Sequence, residues 1–302
     1  MAQPSSTLLL CLFAGTAPRS LPLSSFHVAV YNIYVILSCM ENNLAPVERI
    51  QLMAAKILAT HPAGRGLCLV GGFRYRLLNE SARASNALDY HWEGDLQKKQ
   101  MEIVDLFRSK LLPEVKRQWG YDGDARPASG PDAESPVVRT VQLAFYRIRE
   151  PGSRIEIPVD MIRVAPLDPP VVCTVEGTVF LTVSDADMIE SKILACLARS
   201  FLQVRDVLDI FLFQSALRPD SPVRLSRKLS KLALPPAEAI ERVKKLAKNR
   251  SVHVRGIERL LDEQVKPTVA ANLRAAGGAA MIWDSVMSLL DEILAKAKES
   301  SS

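Results

Sequence analysis

The chain has 302 residues, 48% hydrophobic and 24% charged, with a formal net charge of +5. These proportions exclude a disordered or collagen-like chain and leave room for one large domain or two modest ones. Both signs are interspersed and no Lys/Arg block is long enough to form a nucleic-acid arm, so the surplus is only a mild lean towards anionic partners.

Residues 1–39 differ from the rest. Residues 8–13 and 26–39 are apolar, but no basic segment precedes the first, so a signal peptide fits poorly. The second run is shorter than the ~20 apolar residues of a membrane helix, and no stable membrane insertion is expected. Three readings remain: a poorly packed leader, a weak membrane-contacting segment, or sequence upstream of the true start at Met40. The last is favoured, because ordinary globular statistics begin at Met40.

Residues 46–60 carry Val47, Ile50, Ala54, Ile57 and Leu58 at helical spacing. His61-Pro62 ends that helix, and Gly64 and Gly66 lead into a short buried strand ending at Val70. A Gly71-Gly72 turn and a helix follow, then a return strand through Ala87, Asp89 and Tyr90. Gly94-Asp95 reads as the start of a helix reaching about Trp119, kinked or divided at Pro113. Residues 121–136 are rich in Gly, Pro, Asp and Ser and read as a loop. Residues 137–148 and 154–164 read as strands; Ile155, Ile157, Val159 and Met161 face one way, Glu156 and Asp160 the other. Residues 171–183 hold one strand, or a hairpin around Glu176-Gly177. Ser184 to Asp187 form an acidic N-cap cluster. Helices follow over 184–201 and 204–217, and about three more over 232–298, with a break at 275–280.

Five cysteines, Cys11, Cys39, Cys68, Cys173 and Cys196, make no Cys-x-x-Cys pair. That argues for reduced thiols in a cytoplasmic setting, not a disulfide frame or a zinc site. Cys68 and Cys196 lie in apolar runs and read as core.

A buried strand, Gly71-Gly72, a helix, then Arg83-x-Ser85-x-Ala87-Leu88-Asp89-Tyr90 resembles the polymerase-beta-like nucleotidyltransferase superfamily. In particular it looks like the AbiEii/AbiGii toxin family, whose pattern is Arg-x-Ser-x-Asp-apolar-Asp-aromatic. Ala87 stands where the first metal-binding Asp should be, and Phe73 where the family usually has Thr. Later features extend the likeness: Ile155-Glu156-Ile157 in the slot of the third carboxylate, Lys192 on a helix, Arg199, and Arg205-Asp206-x-x-Asp209. The resemblance spans residues 51–214.

The resemblance implies an α+β fold: a nucleotidyltransferase-like mixed sheet with flanking helices over 40–183, then a helical part over 184–302. Gly71, Gly72, Ser85, Lys192 and Arg205 would hold the triphosphate. Asp89 and Glu156 would bind Mg²⁺, and Asp89, Glu156, Lys192 and Asp206 would be the catalytic set. Arg205 and Asp209, one turn apart, are placed for an ion pair. The implied activity is nucleotide transfer from an NTP to an acceptor such as tRNA, by a toxin paired with an antitoxin protein. A lost bridging ligand should cut metal-dependent transfer by orders of magnitude, since the metal's charge supplies several kcal/mol. The alternative is a catalytically inactive fold kept as a nucleotide- or protein-binding module.

Overall fold

The computed structural model describes residues 45–129, 137–147, 150, 152, 154–163, 166–199 and 201–300. The expected leader over 1–39 lies outside them. Met1–Arg49 and Ile50–Ser302 cluster as separate units. The sheet, the helices after it and the candidate site all belong to the second.

Helix α1 spans Pro46–Thr60, as its apolar spacing requires. Strand β1, Cys68–Val70, then runs directly into helix α2, Gly71–Leu78. The glycine pair is therefore the first turn of a helix. Strand β2 is short, Leu88–His91. Helix α3, Leu96–Leu106, starts at Asp95, whose side chain accepts the Lys98 N–H at 3.0 Å. A π-turn over Phe107–Leu111 joins it to α4, Leu112–Trp119. The wide turn comes just before Pro113, which lacks an N–H and crowds the preceding carbonyls.

Residues 122–127 depart from the expected loop and form strand β3, Asp122–Pro127. Only Ala125 is buried in it, so no apolar alternation announces it. It exists because six consecutive residues pair with β4, Val138–Tyr146. Strand β5 is Ile155–Ile162. Strands β6, Val171–Val175, and β7, Thr178–Thr182, form a hairpin. Its turn holds Glu176 at φ +47° and Gly177 at φ +74°, the left-handed pair that a two-residue hairpin favours.

The strands make one mixed sheet in the order β3-β4-β5-β2-β1-β7-β6. Strand β2 runs parallel to β5, and β1 parallel to β7; the other pairings are antiparallel. Val141, Leu143, Phe145, Ile157, Val159 and Met161 are fully buried, as are Ile103, Phe107 and Leu111 of the long helical run. Each such side chain contributes about 1.5–3 kcal/mol. The apolar face of β4 and β5 is thus the core face. Residues at alternate positions, Asp160 among them, point to the other.

The helical part continues with α5, Asp185–Ala198; α6, Val204–Phe213; α7, Ser221–Lys231; α8, Pro236–Lys248; α9, Arg250–Gln264; α10, Pro267–Ala275; and α11, Gly278–Glu299. Ser184 caps α5 by accepting the Asp187 N–H at 3.1 Å. Cys196 joins Ile193, Val207, Leu225, Trp283 and Leu290 in one apolar core. Helices α5 and α7 are also tied by buried charges. Lys228 bridges Asp187 and Glu190 at 2.6 and 2.7 Å, and Arg224 reaches Glu190, Asp168 and Asp187 at 2.7, 2.8 and 2.9 Å. No described helix is long and apolar enough to cross a membrane.

Candidate functional site

Register decides which side chains meet. Leu88 lies opposite Val159 and Tyr90 opposite Met161, four apolar residues on the core face. The residues between them, Asp89 and Asp160, are therefore also partners and share the other face. Two carboxylates side by side resist ionising together. Burial and the Asp160 charge push the Asp89 carboxyl up to about 6, against the opposing pull of Lys192 and Arg205. Burial also raises Asp160, although it accepts the Thr140 hydroxyl at 2.5 Å.

The glycine pair explains itself in this frame. Gly71 has φ +76°, and a Cβ there would stand 1.9 Å from Asp89 Oδ2. A Cβ on Gly72 would meet Arg83 Nη2 at 2.5 Å and Ser85 Oγ at 3.0 Å. The close approach that these glycines permit is made by the protein's own side chains. The residue preceding α2, Val70, offers no side-chain cap, so the first N–H groups of the helix lack that acceptor. Phe73, one residue on, is buried.

Gly71, Gly72, Ser85, Asp89, Lys192, Arg205 and Asp206, all expected at the site, line a single cleft of about 180 Å³. Ala87 lines it too. Glu156, expected as the second metal ligand, is elsewhere. It pairs with Ala144 on β4, ahead of the point where β2 joins β5. It lies four residues, or about 13 Å of strand, from Asp160. Its side chain is 52% exposed and bound to Arg154 at 2.5 Å. The carboxylate facing Asp89 is Asp160. Period-two spacing puts Glu156 and Asp160 on one face alike, and only the β2–β5 register separates them.

Under the cleft lies a chain of buried charges. Arg83 grips Asp209 with two bonds, Nε at 2.7 Å and Nη2 at 2.8 Å. Lys192 donates to Asp206 at 2.8 Å and reaches Asp209 at 2.9 Å. Arg199 closes the chain on Asp206. Burial alone would raise Asp209, but Lys192 and Arg83 hold it below its ordinary value. Burial works to lower Lys192, and Asp209 and Asp206 reverse that, so it stays protonated. The pair expected between Arg205 and Asp209 does not form: Asp209 is fully buried on Arg83 and Lys192. Arg205 is exposed at the cleft, close enough for its charge to act on Asp89 and Asp160. No local pattern in the sequence marks Asp160, or the Arg83–Asp209 link across 126 positions, as part of the site.

The raised Asp89 has a measurable consequence. Its folded-state value near 6 exceeds the ordinary 3.8, so the native state holds this proton more tightly than the unfolded chain. The stabilisation is complete below about pH 4 and is lost as pH rises through about 6. Asp89→Asn removes this dependence. Relative to the unsubstituted chain, the variant should gain about 2–3 kcal/mol between pH 4 and pH 7.5. Urea unfolding at both pH values in a chelator tests this; a constant difference would contradict the assignment.

No protein-family model matches this chain, and no curated protein sequence does. Among solved structures it is similar to an H. pylori protein described as a nucleotidyltransferase. The identity is 18%, over 82% of this chain and 95% of that one, with a TM-score of 0.48. It is also similar to MenT4, a nucleotidyltransferase toxin from Mycobacterium tuberculosis. There the identity is 15%, over 67% of this chain and 73% of that one, with a TM-score of 0.43.

Proposed function

We propose that the cleft binds a nucleoside triphosphate with Mg²⁺, and that the chain is a nucleotidyltransferase of the AbiEii type whose transfer step is weakened by Ala87. The observation that carries this reading is the Asp89–Asp160 pair, held on adjacent strands beside the first turn of α2. Two carboxylates that resist ionising together fit a divalent cation. Among the described residues no group of three or more His, Cys, Asp or Glu is placed to hold a metal. The protein would supply two ligands, and phosphate oxygens and water the rest. When bound, the cation would offset the negative charge that develops on the oxygens of the transferring phosphoryl group.

The chain's own groups do the remaining work. The uncapped N–H groups at the start of α2 donate to phosphate oxygens, an arrangement that suits anions. Arg205 is exposed at the cleft and available to the polyphosphate. Lys192 lines the cleft with two of its three N–H bonds spent on Asp206 and Asp209, and together with Arg83 and Arg199 it leaves this cluster of charges net positive. Asp206 positions Lys192 and Arg199. An RNA acceptor such as tRNA, and a role as a toxin opposed by an antitoxin, follow from the sequence resemblance. Ala87 favours a second reading, in which the cleft binds nucleotide without turning it over.

Thermal unfolding with each NTP, with and without MgCl₂, tests the binding claim. An NTP and Mg²⁺ together should stabilise the chain by about 2.7 kcal/mol at a hundredfold excess over Kd. Asp160→Asn should abolish the Mg²⁺-dependent part. No shift with any NTP would remove the proposal. Radiolabel transfer then separates the two readings: slow transfer supports an enzyme, and binding without transfer supports the module.

A further inference from the structure

Most polar groups in the cleft are already bonded within the protein. Arg83 and Lys192 hold Asp209, and Lys192 and Arg199 hold Asp206. The Ser85 and Ser191 hydroxyls donate to the carbonyls of Ala87 and Asp187 at 3.1 and 2.7 Å. Two carboxamides differ. Asn86 and Gln264 line the cleft, and neither side chain has a hydrogen-bond partner among the described residues.

Gln264 is fixed by its backbone. Its carbonyl accepts the Ala84 N–H at 2.7 Å. The next residue, Val265, bridges Arg83, and the Lys266 N–H donates to Ala82 at 3.0 Å. The amide is therefore carried on a main chain pinned to the loop that leads into Asp89, at a residue that lines the cleft and makes no side-chain bond among the described residues. The cleft also has an apolar wall of Val70, Val183 and Met188. A flat heterocycle needs this combination: apolar surface for its faces, neutral donors and acceptors for its edge. Contacts to the triphosphate cannot provide base discrimination, because every NTP brings the same one.

We propose that Gln264, with Asn86 on the same cleft, reads the hydrogen-bonding edge of the nucleobase and sets which NTP is preferred. The inference rests on the nucleotide-binding reading above. A site built to bond a polar edge rejects ligands that leave its own groups unpaired, whereas an apolar site discriminates weakly.

Calorimetry of the full chain in MgCl₂ with ATP, GTP, CTP, UTP and inorganic tripolyphosphate tests it, with tripolyphosphate as the reference that lacks a base. The unsubstituted chain should show a spread of about tenfold or more among the four NTPs. In Gln264→Leu that spread should fall to about threefold or less. Gln264→Glu keeps the acceptors, loses the donor and should reorder the preferences. Because the Gln264 tie is made by its main chain, these variants should fold; Asn86→Leu, at an exposed position, carries the same test should they not. An unchanged order and spread in the variants would overturn the proposal. So would equal affinity for all four NTPs in the unsubstituted chain, although nucleotide binding would then stand. Failure to bind any NTP or tripolyphosphate would remove both readings.

Discussion

Ala87→Asp is expected to raise Mg²⁺-dependent transfer of label from an NTP by about a hundredfold or more. The position suits the change. Ala87 lines the cleft immediately before β2, two residues from Asp89. Its backbone is held independently of its side chain, because its carbonyl accepts Ser85 Oγ at 3.1 Å and Gln51 Nε2 at 3.4 Å. A carboxylate on that Cβ would join Asp89 and Asp160 as a third ligand. Without a cation it would add a third negative charge and push Asp89 further up. The variant should therefore be less stable than the unsubstituted chain in chelator and recover in Mg²⁺. Filter-binding or gel assays of labelled product, run on both chains, give the answer. Firm NTP binding with no gain in transfer would favour the binding-module reading.

Asp209→Ala is expected to cost about 3–5 kcal/mol of folding free energy, the usual result of removing one partner from a buried pair. Asp209 is fully buried and compensates two cations, Arg83 and Lys192. Its removal leaves both without that carboxylate in a low-dielectric setting. Arg83 also packs against Gly72, so its release should disturb the start of α2 and weaken NTP binding. Arg250→Ala gives the contrast. Its pair with Asp284 is about half exposed, 49% and 57%, and should be worth under about 1 kcal/mol. Urea midpoints for the two variants decide the matter; equal losses would mean that the buried chain of charges does not hold the site together.

What the sequence disclosed follows from what periodicity can carry. Helix α1 and the Ser184 cap are legible because apolar spacing and an N-cap are local signals; over 171–183 such signals leave one strand or a hairpin open, and the pairing of β6 with β7 decides it. Strand β3 was not, since Asp122, Gly123, Asp124 and Arg126 have no apolar rhythm and are ordered only by pairing with β4. Helix α7 carries little apolar rhythm for a related reason: Arg224 and Lys228 occupy its buried face, satisfied by acids from another helix. The cleft followed the same rule. Gly71, Gly72, Ser85 and Asp89 lie close in sequence and line one cleft. The choice between Glu156 and Asp160 depended on which residue of β5 falls beside Asp89. Register between strands so far apart in sequence is a property of the assembled sheet.

The short ladder joining residues 82–84 to 264–266 has a consequence for the newly made chain. Gln264 leaves the ribosome about 180 residues after Ala84, roughly 10–40 s later at ordinary elongation rates. Until then the loop before Asp89 has neither its Gln264 neighbour nor this backbone support. A nascent chain thus carries the glycine turn and the paired acids without a finished cleft from residue 160 to residue 264, about a third of its synthesis. Any chain ending short of Val265 should remain in that incomplete state.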